Sequence, residues 1–167
     1  MDRHPQGLTL LELLVTVAIL GVTLGLGAPA FRQVTLAVRA NGAFHELTAT
    51  LAMARTHALL RGTPVVVCPS RDGLTCRQDS IWDQGWITFT ARDGGLVRAS
   101  SGERGLVIRS NRPRLRFQAG GFSEGSNLTL YVYADADGPL IGVIKVSQAG
   151  RIRSERTPMA TISSNSP

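Results

Sequence analysis

Arg151 and Arg153 stand two residues apart, with Gly150 before them, Ile152 between them and Arg156 beyond. In a strand, residues two apart share a face, so both guanidiniums project the same way while Ile152 turns toward a core. Arginine presents a planar fork suited to phosphate, where lysine is a point charge. Two aligned forks therefore suit adjacent phosphates of a nucleic-acid backbone. Arg112, Arg114 and Arg116 repeat the spacing, with Leu115 and Phe117 directed inward, and Pro113 favours an edge strand or the loop before one. The competing reading of both groups is a solvated charged edge that discourages strand pairing.

Catalytic chemistry has little support. There is no G-x-S-x-G, and His4, His45 and His57 lack metal-ligand spacing or an evident carboxylate partner. Asp135-Ala136-Asp137-Gly138 hints at a calcium loop but lacks the later Gly and terminal Glu of an EF-hand, so a hairpin turn is expected. The residues imply no cofactor, no metal and no enzymatic activity. From Phe31 onward 17 Arg and Lys face 10 Asp and Glu, and Lys145 is the only lysine. An arginine-biased codon usage accounts for such a composition, but not for its clustering.

The elements that must carry these side chains follow from hydrophobic periodicity. Residues 8–28 are predominantly apolar, and Glu12 is their only formally charged side chain. Twenty-one helical residues rise about 31 Å, against about 30 Å of hydrocarbon in a bilayer, so the stretch is long enough to span one. A carboxylate inside such a span costs roughly 2.5–3.5 kcal/mol and reads as functional. Gly21, Gly25, Gly27 and Pro29 weaken a helix in water but are tolerated in a membrane. After Pro29 the helical pattern resumes: Phe31, Val34, Val38, Phe44, Leu47, Leu51, Ala54 and Ala58 form one apolar face. Arg32, Arg39, Glu46 and Arg55 lie off it. Arg61-Gly62-Thr63-Pro64 is a stop signal. One helix is thus expected from about Leu8 to Arg61.

Beyond it the period changes to two. Residues 64–68, 86–90, 106–109, 114–118, 128–133 and 141–147 read as strands, with turns at Asp93-Gly94-Gly95 and Asp137-Gly138. Residues 157–167 are Ser/Thr-rich and weakly hydrophobic, the composition of a loose tail. One helix followed by six or seven antiparallel strands is an α+β architecture.

Gly7-Leu8-Thr9-Leu10-Leu11-Glu12 resembles the prepilin-peptidase site of type IV pilins and of the pseudopilins of type II secretion. Val67-Cys68-Pro69-Ser70, Cys76, Trp82, Gly85, Trp86 and Phe89 resemble the GspH/FimT family of minor pilins and pseudopilins. The likeness covers nearly the whole chain. It implies a pilin-like fold: a leader at 1–7, a membrane and filament-core helix at 8–29, an amphipathic helix half at 30–62 and a β domain at 63–156, with the tail beyond. It implies cleavage by a prepilin peptidase after Gly7 and N-methylation of Leu8, which stands where phenylalanine is commoner. Glu12 falls fifth in the mature chain, where it pairs with the free amine of Leu8 on a neighbouring subunit. A charge lacking its partner would oppose assembly in a dry filament core.

The same resemblance implies a single-pass inner-membrane protein with a periplasmic C-terminal domain, extracellular once assembled. Its partners are the peptidase and other pilin or pseudopilin subunits. Cys68 and Cys76 have neither zinc nor thioredoxin spacing, and an oxidising compartment favours a local disulfide between them over two free thiols. Gly150-Arg151-Ile152-Arg153 resembles the C-terminal G-R-x-R motif through which pilins of the FimT type bind DNA in natural transformation. The expectation is a DNA-binding minor pilin, with Arg156, Arg112, Arg114 and Arg116 extending the surface. The alternative is a structural pseudopilin of type II secretion.

Overall fold

The computed structural model describes residues 9–125 and 127–157, with the side chains of 26–30 and 32–33 left aside. The chain divides into two units, Met1–Leu36 and Ala37–Pro167. A single helix, α1 (Leu10–Arg61), runs through both. It starts where the sequence provides a cap. Thr9 Oγ1 accepts a hydrogen bond from the Glu12 backbone N–H (3.2 Å), a Thr-x-x-Glu arrangement that satisfies one otherwise orphaned donor. Gly7 and Leu8, the expected processing site, lie outside the described residues.

Within the first unit, Leu10, Leu11, Leu13, Leu14, Val15, Val17, Ile19, Leu20, Val22 and Leu24 are all exposed, on every side of the helix. Among the described residues no helix is long and apolar enough to cross a membrane. The 21-residue apolar run begins at Leu8, outside them, and takes in residues 26–28, whose side chains are not described.

In the second unit α1 buries one stripe: Ala40, Ala43, Phe44, Leu47, Thr50, Leu51, Ala54 and Ala58. These positions recur at three and four residues, as a helix face against a sheet requires. The stripe starts later than periodicity suggests. Val38, expected on the same face, is exposed, because the six-residue step from Val38 to Phe44 turns it about 120° away from the buried stripe at about 100° per residue. Phe31 and Val34, in the first unit, are exposed as well. At the other end Gly62 takes φ +58°, the left-handed conformation of a helix-terminating glycine. Thr63 Oγ1 donates to the Arg61 carbonyl (3.2 Å).

Among the described residues eight strands follow: β1 (Val65–Pro69), β2 (Gly85–Thr90), β3 (Leu96–Ser101), β4 (Val107–Ser110), β5 (Leu115–Phe117), β6 (Leu128–Tyr133), β7 (Leu140–Val146) and β8 (Ile152–Arg156). They form two four-stranded sheets, ordered β3-β2-β1-β5 and β4-β6-β7-β8, with every pairing antiparallel. The antiparallel β domain stands as expected, with eight strands among the described residues where about six or seven were expected. β3 and β8 escape a periodicity reading because both are edge strands with little apolar content. Only Ile152 is hydrophobic in β8, so pairing with β7 makes the strand, not patterning.

Both sheets turn one face to a shared core containing Trp82, Trp86, Phe117, Ile108, Leu115, Leu128, Leu130 and Ile144. Trp86 Nε1 donates to Thr50 Oγ1 (3.3 Å), tying the first sheet to the helix, and Trp82 Nε1 donates to Ser110 Oγ (2.8 Å). Two helix arginines fasten loops. Arg39 Nη1 reaches the Arg104 carbonyl (3.4 Å). Arg55 reaches the Gly121 carbonyl through Nε (3.1 Å) and the Ala149 carbonyl through Nη2 (3.3 Å).

Candidate nucleic-acid interface

The β7–β8 hairpin positions the Arg pair. Its connection is Ser147-Gln148-Ala149-Gly150, closed by Gly150 N–H to the Ser147 carbonyl (2.8 Å) and Ser147 N–H to the Arg151 carbonyl (2.9 Å). Gly150 is buried with φ +72°, the left-handed position of such a loop. A Cβ there would meet the Gly121 carbonyl oxygen at 2.1 Å and Arg55 Nε at 2.8 Å. Glycine is required on both counts. It lets the chain turn against the Arg55 clasp and leave it with Arg151 and Arg153 on the outer face.

Register fixes that face. β6 alternates without exception between buried Leu128, Leu130 and Val132 and half-exposed Thr129, Tyr131 and Tyr133. Thr129 pairs with Lys145, and Lys145 with Arg153, so these three form one row across the sheet. Arg109, Tyr131, Val143 and Glu155 form the next. An open groove of about 460 Å³ runs along the first row, lined by Asn127, Thr129, Lys145, Ser147, Arg151 and Arg153. Arg151 and Arg153 are exposed, and among the described residues no hydrogen bond or ion pair engages either guanidinium. Lys145 Nζ lies 3.0 Å from Glu155 Oε2.

The other arginines are held elsewhere. Arg156 belongs to the inner face, where Nη1 donates to Asn41 Oδ1 (2.7 Å) and the guanidinium sits 5.4 Å from the Phe44 ring centroid. Arg112 clasps the 123–124 loop, donating from Nη1 to the Glu124 carbonyl (2.9 Å) and from Nη2 to Ser123 Oγ (3.1 Å). Burial lowers its pKa, with the Glu124 charge opposing. Arg116 Nε lies 3.2 Å from Glu124 Oε2, and Arg114 Nη2 donates to Gln78 Oε1 (2.7 Å). Leu115 and Phe117 are buried beneath them, as alternation predicts. Lys145, Glu155, Tyr131 and Tyr133 were not singled out by clustering of Arg in sequence. The period-two alternation of β6 and β7 is the signal that groups them.

Trp82 is fully buried and offers no ring to a ligand. Cys68 and Cys76 form a disulfide with a Cα–Cα distance of 5.6 Å. Inside that loop Asp72 Oδ1 accepts the N–H groups of Leu74 (2.9 Å) and Thr75 (2.8 Å) and the Ser70 hydroxyl (3.0 Å). The Thr75 hydroxyl donates to Oδ2 (2.7 Å). The Thr75 and Leu74 N–H groups, followed by the Thr75 hydroxyl, hold the Asp72 carboxyl far below the ordinary carboxylate range. Among the described residues no group of three or more His, Cys, Asp or Glu is placed to hold a metal ion. Asp135–Gly138 forms the β6–β7 turn, with Gly138 N–H on the Asp135 carbonyl (3.2 Å).

Residues 43–150 match the family model described as type II transport protein GspH, and residues 2–28 match the prokaryotic N-terminal methylation motif. The fold is similar to the type IV minor pilin FimU of Pseudomonas aeruginosa, with a TM-score of 0.57 and 24% identity over 72% of this chain and 89% of that one. It is similar also to the minor pseudopilin EpsH of the Vibrio cholerae type 2 secretion system, with a TM-score of 0.53 and 14% identity over 71% of this chain and 97% of that one. No curated protein sequence matches the chain.

Proposed function

Since the chain belongs to the GspH family of type II transport proteins and carries the N-terminal methylation motif, we propose that it is a minor pilin that binds DNA through the outer face of its second sheet. Prepilin peptidase cuts after Gly7, Leu8 is methylated, and the apolar helix anchors the subunit in the inner membrane until it is drawn into a filament. Glu12 then pairs with the amine of a neighbouring Leu8. The role is structural and binding, not catalytic.

The observation that carries the DNA reading is the groove formed by Arg151, Arg153 and Lys145. Three cations side by side without intervening carboxylate contacts on the two arginines suit a run of phosphates. Phosphate contacts position a protein but carry no direct sequence information, so binding is non-specific. Arg156, Arg112, Arg114 and Arg116 have neighbours of their own and contribute less.

The test uses the full chain in detergent micelles and duplex DNA. Each neutralised phosphate contributes a slope of about −0.9 in log affinity against log salt. Arg151→Ala with Arg153→Ala should weaken all sequences alike and flatten the slope by about 2. A folded double variant that binds as its parent does at every salt concentration would remove the assignment. A parent that binds no DNA, duplex or single-stranded, even at low salt leaves the structural pseudopilin of type II secretion, a role the GspH family match favours.

A further inference from the structure

The outer face of the β4-β6-β7-β8 sheet carries more than charge. Tyr131 and Tyr133 both project from the interior strand β6, half-exposed, on the side away from the core. Outward positions of a solvated sheet are ordinarily polar; here two rings occupy consecutive ones. Arg109 stands opposite Tyr131 on β4 and Val143 opposite it on β7. Lys145, one outward position along from Val143, is a diagonal neighbour of Tyr131 at about 7–8 Å. Tyr131 therefore adjoins the row that carries the cationic groove, and Tyr133 lies one outward position farther along β6 on the same face.

We propose that this face is a platform for single-stranded nucleic acid, with Tyr131 and Tyr133 stacking bases while Lys145, Arg151 and Arg153 hold the backbone. The proposal rests on the phosphate-binding reading of the same groove and names its preferred ligand. Spacing selects the strand state. Outward side chains two residues apart are about 6.8 Å apart along an antiparallel strand, twice the 3.4 Å rise per nucleotide of a duplex strand. Bases in a duplex are already stacked on one another and offer no free face, whereas a single strand can open to place a base on each ring. Aromatic stacking of this kind is sequence-tolerant, because every base has a π-face. Glu155, on the same face, Asp83, 3.1 Å from Arg109 Nη1, and the exposed Asp135 and Asp137 in the turn beyond Tyr133 are acidic groups that oppose it.

The experiment measures the full chain in detergent micelles by fluorescence anisotropy, with a 20-nucleotide oligo-dT and a 20-base-pair duplex at equal salt. Single strand is expected to bind more tightly than duplex. Base–aromatic stacking is worth about 1–3 kcal/mol per base, so Tyr131→Leu with Tyr133→Leu should weaken oligo-dT by tenfold or more and duplex by less than twofold. Leu keeps apolar volume on the sheet, and Tyr131→Phe with Tyr133→Phe should restore single-strand binding, which separates stacking from folding. Duplex binding through Arg151 and Arg153 that exceeds single-strand binding, or is matched by oligo-dT binding insensitive to the Leu pair, overturns this inference and leaves the proposed function standing. A parent that binds neither probe at low salt overturns both.

Discussion

Lys145 and Arg153 stand directly opposite each other on β7 and β8, both exposed. Like charges in that position destabilise a strand pair. Glu155 relieves the conflict from the same face, 3.0 Å from Lys145. The carboxylate therefore competes with any phosphate for that lysine.

Glu155→Gln should raise duplex affinity several-fold and steepen the log–log salt slope by about one contact. It should also lower stability slightly, since exposed ion pairs contribute about 0–1 kcal/mol. Anisotropy titrations at four or five salt concentrations measure the slope. An unchanged slope would place Lys145 outside the phosphate track.

Gly150→Ala should destabilise by about 1–3 kcal/mol, because it places a side chain at positive φ and a Cβ 2.1 Å from the Gly121 carbonyl. Thermal melting reads the change as a drop of about 2–4 °C per kcal/mol for a chain of this size. Gly120 faces only the edge of the exposed Phe122 ring, so Gly120→Ala serves as the mild control.

Reducing the Cys68–Cys76 disulfide should lower stability by about 2–3 kcal/mol in the chain-entropy model. Asp72 adds a pH dependence to the same loop. Its folded pKa is depressed by the Thr75 and Leu74 N–H groups. Its stabilisation is therefore complete above the unfolded carboxylate value of about 3.9 and lost as pH falls below it. Asp72→Asn should flatten the acid limb of stability between about pH 5 and pH 2. An identical acid limb in the variant would show that other carboxylates dominate.

Gly7→Arg should leave the leader uncut, seen as unshifted mass of the purified protein. Glu12→Ala should leave it cut and membrane-bound yet poorly incorporated into sheared filaments. Normal incorporation of Glu12→Ala would count against charge pairing with the Leu8 amine.

By itself the sequence determined everything that local order encodes. The six-residue motif from Gly7 to Glu12 is contiguous, so no fold is needed to read it. The long helix and its end at Arg61-Gly62-Thr63-Pro64 follow from a 3.6-residue period and a stop signal, and six of the eight strands follow from alternation. Cys68 and Cys76 are close enough in sequence for local pairing to be the simplest choice. Which arginines are available to a ligand was decided only by tertiary structure. Arg151, Arg153 and Arg156 look alike within one short segment. Yet β7 pairing sends Arg156 to Phe44 and Asn41 on α1, while Arg151 and Arg153 face the groove. Arg112 and Arg116 likewise meet Glu124 and its loop. An arginine's charge is written in its codon, but its neutralisation depends on carboxylates, carbonyls and rings brought from distant segments, and no local pattern specifies those.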